Sequence, residues 1–325
     1  MRRGDGERGA ALLTVLLLVA VIAVLAATAL ERLRVSTRLT ANAGALDAAR
    51  GYAYAAETLA TTRVTSLLRQ AGDRVALLGG WSDRPFGLPI PGGVATPRVR
   101  DGGNCFNLNS LVVRGDDGTY AANNQTLLQF QRLIRLLRVP AGDAIPAATA
   151  DFIDSDDAAL PGGAEDGAYR GYRTAGTLMA DVSELRAVSG VTAEQYQLLR
   201  PWLCALPTVE RATINVNTLL PEQAPLLAML IETGGGVEAV RGVLLRRPEQ
   251  GYATTDPVWN ALSLAGAGTP AMDGKGQTGV KTGWFALTID VVANGAELHE
   301  QGLIDARTLP ARLVARQWGD VSCPP

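Results

Sequence analysis

The sequence predicts an α+β fold in which a long N-terminal helix packs on an antiparallel sheet and a large all-α domain is inserted. Three patterns support this prediction: an unbroken helical pattern over residues 10–69, a second over residues 179–264, and two-residue alternation over residues 284–304. Shorter strand patterns also occur within residues 97–120. The helical domain would therefore be inserted between the early and late strands of one sheet, and 325 residues suffice for both units.

Composition narrows the function classes before any motif is considered. Hydrophobic residues make up 47% of the chain and charged residues 19%, which excludes a disordered, collagen-like or disulfide-scaffold protein. The formal charge of −2 gives no global attraction to nucleic acid. His299 is the only histidine, so metal sites with two histidines are excluded and any histidine-dependent triad must use it. His299 lies in a predicted strand, and we find no nucleophile motif that it could serve. We therefore expect the protein to have no enzymatic activity.

The N-terminal helix begins with an apolar span. Residues 10–30 contain no charge, and as a helix these 21 residues measure about 31 Å, enough to cross a bilayer. A secretory signal peptide cleaved within residues 26–29 is the alternative. The span is too long for one, and the helical pattern continues without proline to about Arg69. We therefore expect a single-pass protein with most of the chain translocated, although basic residues flank both ends of the span.

The residues that start this span resemble the leader of type IV pilin-like proteins. Arg8-Gly9-Ala10 leads directly into the apolar helix. The resemblance implies that prepilin peptidase cuts between Gly9 and Ala10 and that the new amino terminus is methylated. Thr14 stands where most pilins have a glutamate, which is tolerable in an apolar helix only when paired. The general secretion pathway protein K family, the terminal minor pseudopilins of type II secretion, lacks this glutamate.

Further segments resemble the same family in the same order along the chain. They are CFNLNSL at 105–111, the acidic FIDSDD at 152–157 with PGGAED at 161–166, MADVSEL at 179–185 and INVNT at 214–218. On these motifs the chain is identified as a member of the protein K family. The resemblance implies a pilin-like fold and a minor pseudopilin at the tip of the pseudopilus, which initiates or caps assembly for protein export across the outer membrane.

The resemblance also implies partners and a location. The expected partners are other minor pseudopilins in a tip complex, the inner membrane and exported substrate proteins, with no nucleic acid. The expected location is the bacterial inner membrane, with the bulk of the chain in the periplasm. We divide the chain into a leader (1–9), a transmembrane and fibre-core segment (10–30), a first pilin-like part (31–125), an inserted helical domain (126–275) and returning strands with a C-terminal tail (276–325).

An acidic segment lies within the expected helical domain. Between Val139 and Tyr169 the chain has seven acidic residues and no Lys, Arg or His. Carboxylates this close repel one another unless water or a cation separates them, and Ca²⁺ takes six to eight oxygen ligands. A solvated acidic loop is the alternative, and the residues do not match an EF-hand. The family resemblance implies a structural Ca²⁺, with candidate ligands Asp154, Asp156, Asp157, Glu165 and Asp166.

The second helical region offers an alternative function. Residues 179–264 resemble helix-hairpin-helix modules, and INVNT at 214–218 is similar to the N-I-N-T-A stretch of DNA-uptake receptors. This alternative is a membrane-anchored helix-hairpin-helix protein for DNA binding or uptake. The only basic cluster is Arg241, Arg246 and Arg247, and no aromatic residues are interleaved with it. We therefore favour a helical domain for protein interaction.

The late strands and the cysteines complete the prediction. Trp284 to Val291 alternates in part, Ala293-Asn294-Gly295 is a hairpin turn signal, and residues 297–304 form the partner strand. In an oxidising periplasm the cysteines can pair in three ways. We favour Cys105–Cys204, since Cys323 lies in a predicted tail; a free structural cysteine is the alternative.

Overall fold

The computed structural model describes residues 5–232 and 236–319, with side chains from residue 10 onward. Helix α1 runs from Asp5 to Ala71 without a break, which confirms the predicted long helix. Gly44 and Gly51 do not interrupt it, because one glycine costs a helix only about 1 kcal/mol. Gly72 follows with a φ of +63°, the left-handed conformation typical of a helix C-terminus.

The two halves of α1 have different environments. Side chains 10–44 are exposed all round the helix, and within this stretch Leu13 is 70% exposed and Leu17 68%. From Ala49 onward one face is buried, at spacings of three and four residues that place it in a single row. This row consists of Ala49, Ala53, Ala56, Ala60 and Val64. Because alanine is small, the helix approaches the sheet closely there.

One antiparallel sheet packs against this row. Its five strands are β1 (Leu88–Ile90), β2 (Gly93–Asp101), β9 (Trp284–Ala293), β10 (Ala296–Asp305) and β11 (Arg312–Trp318), in the order β1-β2-β9-β10-β11. Asn294 and Gly295 join β9 to β10 and both have positive φ, as a type I′ turn requires. The predicted hairpin is therefore confirmed. The strand β11, at the edge of the sheet, was not predicted as a separate strand.

The remaining elements form a second, mainly helical unit. Its helices are α2 (Asn124–Leu136), α3 (Ile145–Ile153), α4 (Ala193–Leu199), α5 (Ala224–Ala228), α6 (Val237–Leu245) and α7 (Asp256–Leu264). The described residues of this unit also form 3₁₀ helices at Leu108–Leu111, Asp166–Ala168, Val182–Ala187, Arg200–Trp202 and Pro221–Gln223. Short strands pair as β3 (Phe106–Asn107) with β6 (Leu203–Cys204), β4 (Val112–Arg114) with β5 (Tyr120–Ala122), and β7 (Ile214–Asn215) with β8 (Thr278–Gly279).

One hydrophobic core holds this unit together. Phe106 stacks on Phe130 of α2 with ring centroids 4.5 Å apart, and both rings are buried. Residues 106–112, which the sequence interpretation placed before residue 126, thus contribute to the same core as the helices. The domain boundaries themselves stay a prediction.

The INVNT segment joins the helical unit to the sheet. Asp101, at the end of β2, accepts hydrogen bonds from the hydroxyls of Thr218 and Thr282. The side chain of Asn215 donates to Thr282 at 2.8 Å and to the carbonyl of Val75 at 3.1 Å. Asn215 is fully buried and Thr218 is 3% exposed, so these polar groups are satisfied inside the protein. The INVNT motif therefore has a structural role, because it links the helical unit to the sheet.

A buried carboxylate pair lies between α1 and the sheet. Glu57 of α1 is 7% exposed and Glu300 of β10 is fully buried. Arg316 of β11 donates to Glu57 from Nε and, at 2.6 Å, from Nη2, and its guanidinium stacks over the ring of Tyr54. Arg316 Nε lies 3.6 Å from Glu300 Oε1. Burial, followed by the neighbouring Glu57, raises the pKa of Glu300 to about 8. One guanidinium does not neutralise two carboxylates, so Glu300 keeps its proton at neutral pH.

Glu300→Gln should stabilise the protein at alkaline pH, because glutamine imitates the protonated carboxyl group. The pKa of Glu300 is about 8 in the folded chain and 4.5 as an ordinary glutamate, so the stability of the wild type falls as pH rises between these values. We expect the variant to exceed the wild type by about 2 kcal/mol at pH 9 and by less at pH 5. Thermal unfolding of the full chain in detergent, followed by circular dichroism, measures this difference in stability.

Glu297→Gln, on the exposed face of the same strand, is the matched control. A Glu300→Gln variant less stable than the wild type at pH 9 would contradict the assignment.

Candidate metal centre

The acidic segment folds back onto the end of α3. Asp151 lies in the last turn of this helix, and the backbone of Asp154 is extended, which ends the helix. The chain then returns through Gly162, which has a φ of +80°, and Gly163. A Cβ atom on Gly163 would lie 1.9 Å from Oδ2 of Asp151, so only glycine allows the loop to pass this close. The return brings Glu165 next to the two aspartates.

Three carboxyl groups meet at this point. Ligand oxygens of Asp151, Asp154 and Glu165 all lie within 4.8 Å of one another. The three residues are 0%, 4% and 9% exposed. Among the residues that the structure describes, Oδ1 of Asp154 and both carboxylate oxygens of Glu165 are buried without a hydrogen-bond donor. Asp151 accepts a hydrogen bond from the backbone of Leu160 at 3.1 Å. Buried oxygens of this kind need either a proton or a cation.

The pKa values show the cost of placing three carboxylates together. Burial, then the charges of Asp156 and Asp151, raise the pKa of Asp154 to about 7. Burial, then the charge of Asp154, raise the pKa of Glu165 to about 7. Burial raises the pKa of Asp151 as well. Clustered carboxylate oxygens are typical ligands of a hard divalent cation such as Ca²⁺, so the residues present fit this ion.

The structure brings together two of the five predicted ligands, Asp154 and Glu165. Asp156 and Asp157 are exposed, and Asp156 accepts a hydrogen bond from the backbone of Ala158 at 2.8 Å. The third member of the cluster, Asp151, was not among the predicted ligands. The signal that could have found it is its spacing of three residues from Asp154, which places both carboxylates on one side of a helix end.

Asp166 lies beside the cluster and has its own partners. Its Oδ1 accepts hydrogen bonds from the backbone and the hydroxyl of Thr174, each at 3.0 Å. Arg173 Nε lies 3.7 Å from its Oδ2. Through these contacts Asp166 positions Arg173 and Thr174, which follow the acidic loop.

The other predicted residues lie apart from this cluster. Cys105 and Cys204 form a disulfide next to the β3–β6 pair, whereas Cys323 lies outside the described residues. Gly9 and Ala10 lie within α1. His299 Nδ1 lies 2.6 Å from Oδ1 of Asp290 on the neighbouring strand, as expected of a cross-strand polar residue.

Known proteins with similar sequences point to one family. The profile of the family described as "Type II secretion system (T2SS), protein K" matches residues 104–208 and 214–279. The type II secretion system protein K of Pectobacterium carotovorum subsp. carotovorum is 31% identical over 322 residues, which covers 96% of this chain and 97% of the relative. The protein K of Aeromonas hydrophila is 34% identical over 278 residues, 82% of this chain and 84% of the relative.

The fold agrees with these relatives. A chain of the solved GspK-GspI-GspJ complex from the type 2 secretion system of enterotoxigenic Escherichia coli superposes with a TM-score of 0.72. It is 31% identical in sequence, and the match covers 84% of this chain and 96% of that one. The apolar part of α1 is long enough to be a single membrane anchor. This chain belongs to the type II secretion system protein K family, as its motifs predicted, and is a minor pseudopilin of that system.

Proposed function

We propose that this protein is the tip subunit of the type II secretion pseudopilus, where it initiates or caps assembly for protein export. The observation that carries this proposal is the contrast along α1. Residues 10–30 expose apolar side chains on all sides, whereas the turns from Ala49 onward are buried on one face against a sheet with a large helical unit attached. A helix that is apolar all round requires a membrane or neighbouring helices. The bulky helical unit would obstruct a further subunit, and Thr14 offers no carboxylate to one.

The structural neighbour supports a proposed assembly, and the apolar part of α1 supports a proposed location. The structural neighbour comes from a complex named GspK-GspI-GspJ, which supports assembly of this chain with two other minor pseudopilins. The apolar part of α1 would first hold the chain in the inner membrane, with the bulk in the periplasm. We further propose cleavage of the leader after Gly9, methylation of Ala10 and a role in assembly without catalysis.

We propose that Asp151, Asp154 and Glu165 bind a structural Ca²⁺. The cation would neutralise three carboxylates that the described residues leave without a basic partner. Its binding would fasten the acidic loop to the end of α3. Asp156, Asp157 and Asp166 are close enough in sequence to contribute further oxygens or to attract the ion by their charge.

Co-purification tests the proposed function. The full chain is produced in a bacterial membrane together with the minor pseudopilins of its own system and extracted in detergent. We expect it to retain two of them, and we expect mass spectrometry to find a methylated Ala10 at its amino terminus. An unrelated single-span protein with the same tag is the control. Retention of none, together with salt-dependent DNA binding, would favour the helix-hairpin-helix alternative.

A further inference from the structure

A cleft of about 570 Å³ opens beside the last turns of α1. It lies between this helix and the loop that leads to β1. Its floor is apolar and aromatic, formed by Val64, Leu67, Trp81, Phe86 and Val99. Four polar side chains also line it: Arg63, Ser66 and Gln70 from α1 and Arg84 from the loop.

The cleft is built into the core between helix and sheet. The indole nitrogen of Trp81 donates to the carbonyl of Ala76 at 2.7 Å, and its ring lies 5.6 Å from that of Phe285 on β9. The loop turns through Gly79 and Gly80, with φ values of +82° and +61°. Because its floor is anchored in the core, the cleft is formed before any ligand binds.

The charge of the cleft is uncompensated. The guanidinium carbon of Arg63 lies 4.2 Å from the ring centroid of Phe86, so an aromatic ring orients this cation. Arg84 is exposed on the opposite wall. Within residues 5–232 and 236–319, neither arginine makes an ion pair and no carboxylate lines the cleft. By contrast, Arg98, Arg307 and Arg316 each pair with a carboxylate.

We propose that this cleft binds an acidic segment of a neighbouring pseudopilin subunit. A Glu or Asp carboxylate would lie between Arg63 and Arg84, and its apolar stem would cover Trp81. Arginine favours such carboxylate contacts because its planar fork donates two parallel hydrogen bonds. The inference rests on the proposed function, in which subunits pack along α1. The part of this helix that is exposed on all sides ends near Gly44, about 30 Å along the helix axis from Arg63.

A labelled peptide tests the cleft without any partner subunit. Fluorescence anisotropy measures binding of an acetylated, fluorescein-labelled hexaglutamate to the full chain in detergent micelles. We expect Arg63→Glu with Arg84→Glu to weaken binding by about tenfold or more, and added salt to weaken binding to the wild type. Arg69→Glu is the matched control, since Arg69 is exposed on the same helix and does not line the cleft. Failure of the wild type to bind, or equal loss in the control, would overturn the proposal.

Co-purification with the minor pseudopilins then identifies the occupant. We expect the double variant to lose retention and Arg69→Glu to keep it, with unchanged thermal unfolding in both. Equal retention by the wild type and the double variant would overturn the proposal. If the wild type binds the peptide but retains no pseudopilin, the acid-binding cleft is supported while the proposed function, and with it the subunit as occupant, fails.

Discussion

Asp154→Asn with Glu165→Gln should abolish the stabilisation that calcium gives the wild-type chain. Calcium at a hundred times its dissociation constant stabilises a folded protein by about 2.7 kcal/mol. In a chain of 325 residues that corresponds to a rise of roughly 4 °C in Tm. The variant removes two of the three carboxylates that meet at the end of α3, so its Tm should not respond to calcium. Thermal unfolding of the full chain in detergent, with calcium or with a chelator, measures both values.

The same variant should behave in the opposite way without calcium. Burial and mutual repulsion raise the pKa values of Asp154 and Glu165 from 3.8 and 4.5 to about 7, so the metal-free fold loses stability as pH rises between these values. We therefore expect the variant to be more stable than the wild type in chelator at pH 8. Asp143→Asn, which removes one exposed negative charge from the same acidic segment, is the control. Equal calcium-induced shifts in the variant and the wild type would show that the cluster does not bind the ion.

Loss of the Cys105–Cys204 disulfide should lower the free energy of unfolding by about 4 kcal/mol. The bridge closes a loop with a sequence separation of 99, so its removal gives the unfolded chain much more conformational freedom. The bridge also links the residue before β3 to the last residue of β6. Each strand of this parallel pair has only two residues, so the pair itself contributes few hydrogen bonds. Denaturant unfolding of the Cys105→Ser, Cys204→Ser double variant measures the effect.

Two controls accompany this second prediction. Cys323→Ser removes a thiol and leaves both bridge partners in place. Reductant should lower the unfolding midpoint of the wild type and leave that of the double variant unchanged. A double variant that unfolds at the same denaturant concentration as the wild type would contradict the expected stabilisation.

The elements that the sequence predicts well are those whose pattern is local. The long helix follows from an apolar run and a pattern without proline, and α1 continues past Gly44 and Gly51 as expected. The β9–β10 hairpin follows from the Asn294-Gly295 turn signal and from the alternation of β9. This alternation places Phe285 and every second residue after it on the buried face. Such signals depend on a few adjacent residues.

The strand β11 shows why other elements escape prediction. Leu313 and Trp318 of this strand pack against the core, but Arg316 lies between them and interrupts the apolar alternation with a charged residue that usually marks an exposed face. Arg316 is tolerated there because Glu57, 259 positions away in the chain, accepts its hydrogen bonds. A partner so distant in sequence leaves no trace in the local alternation.

The carboxylate cluster shows the same limit for the candidate site. The family resemblance implied a cation for the acidic segment, but which carboxylates meet depends on how the loop returns. Asp151 meets Glu165 because Gly163 lets the backbone pass within a distance that no side chain allows. Spacing in the sequence does not report that approach, so exposed Asp156 and Asp157 were predicted while buried Asp151 was not.

The continuity of α1 has a mechanical consequence. Residues 10–71 contain no proline and form one helix about 90 Å long. Its last turns are fastened to the sheet by the alanine row and by the Glu57–Arg316 pair. A displacement of the exposed end along the helix axis would therefore reach the sheet without passing a break in the helix. In this protein, the exposed apolar segment and the segment that packs on the sheet are parts of one continuous helix.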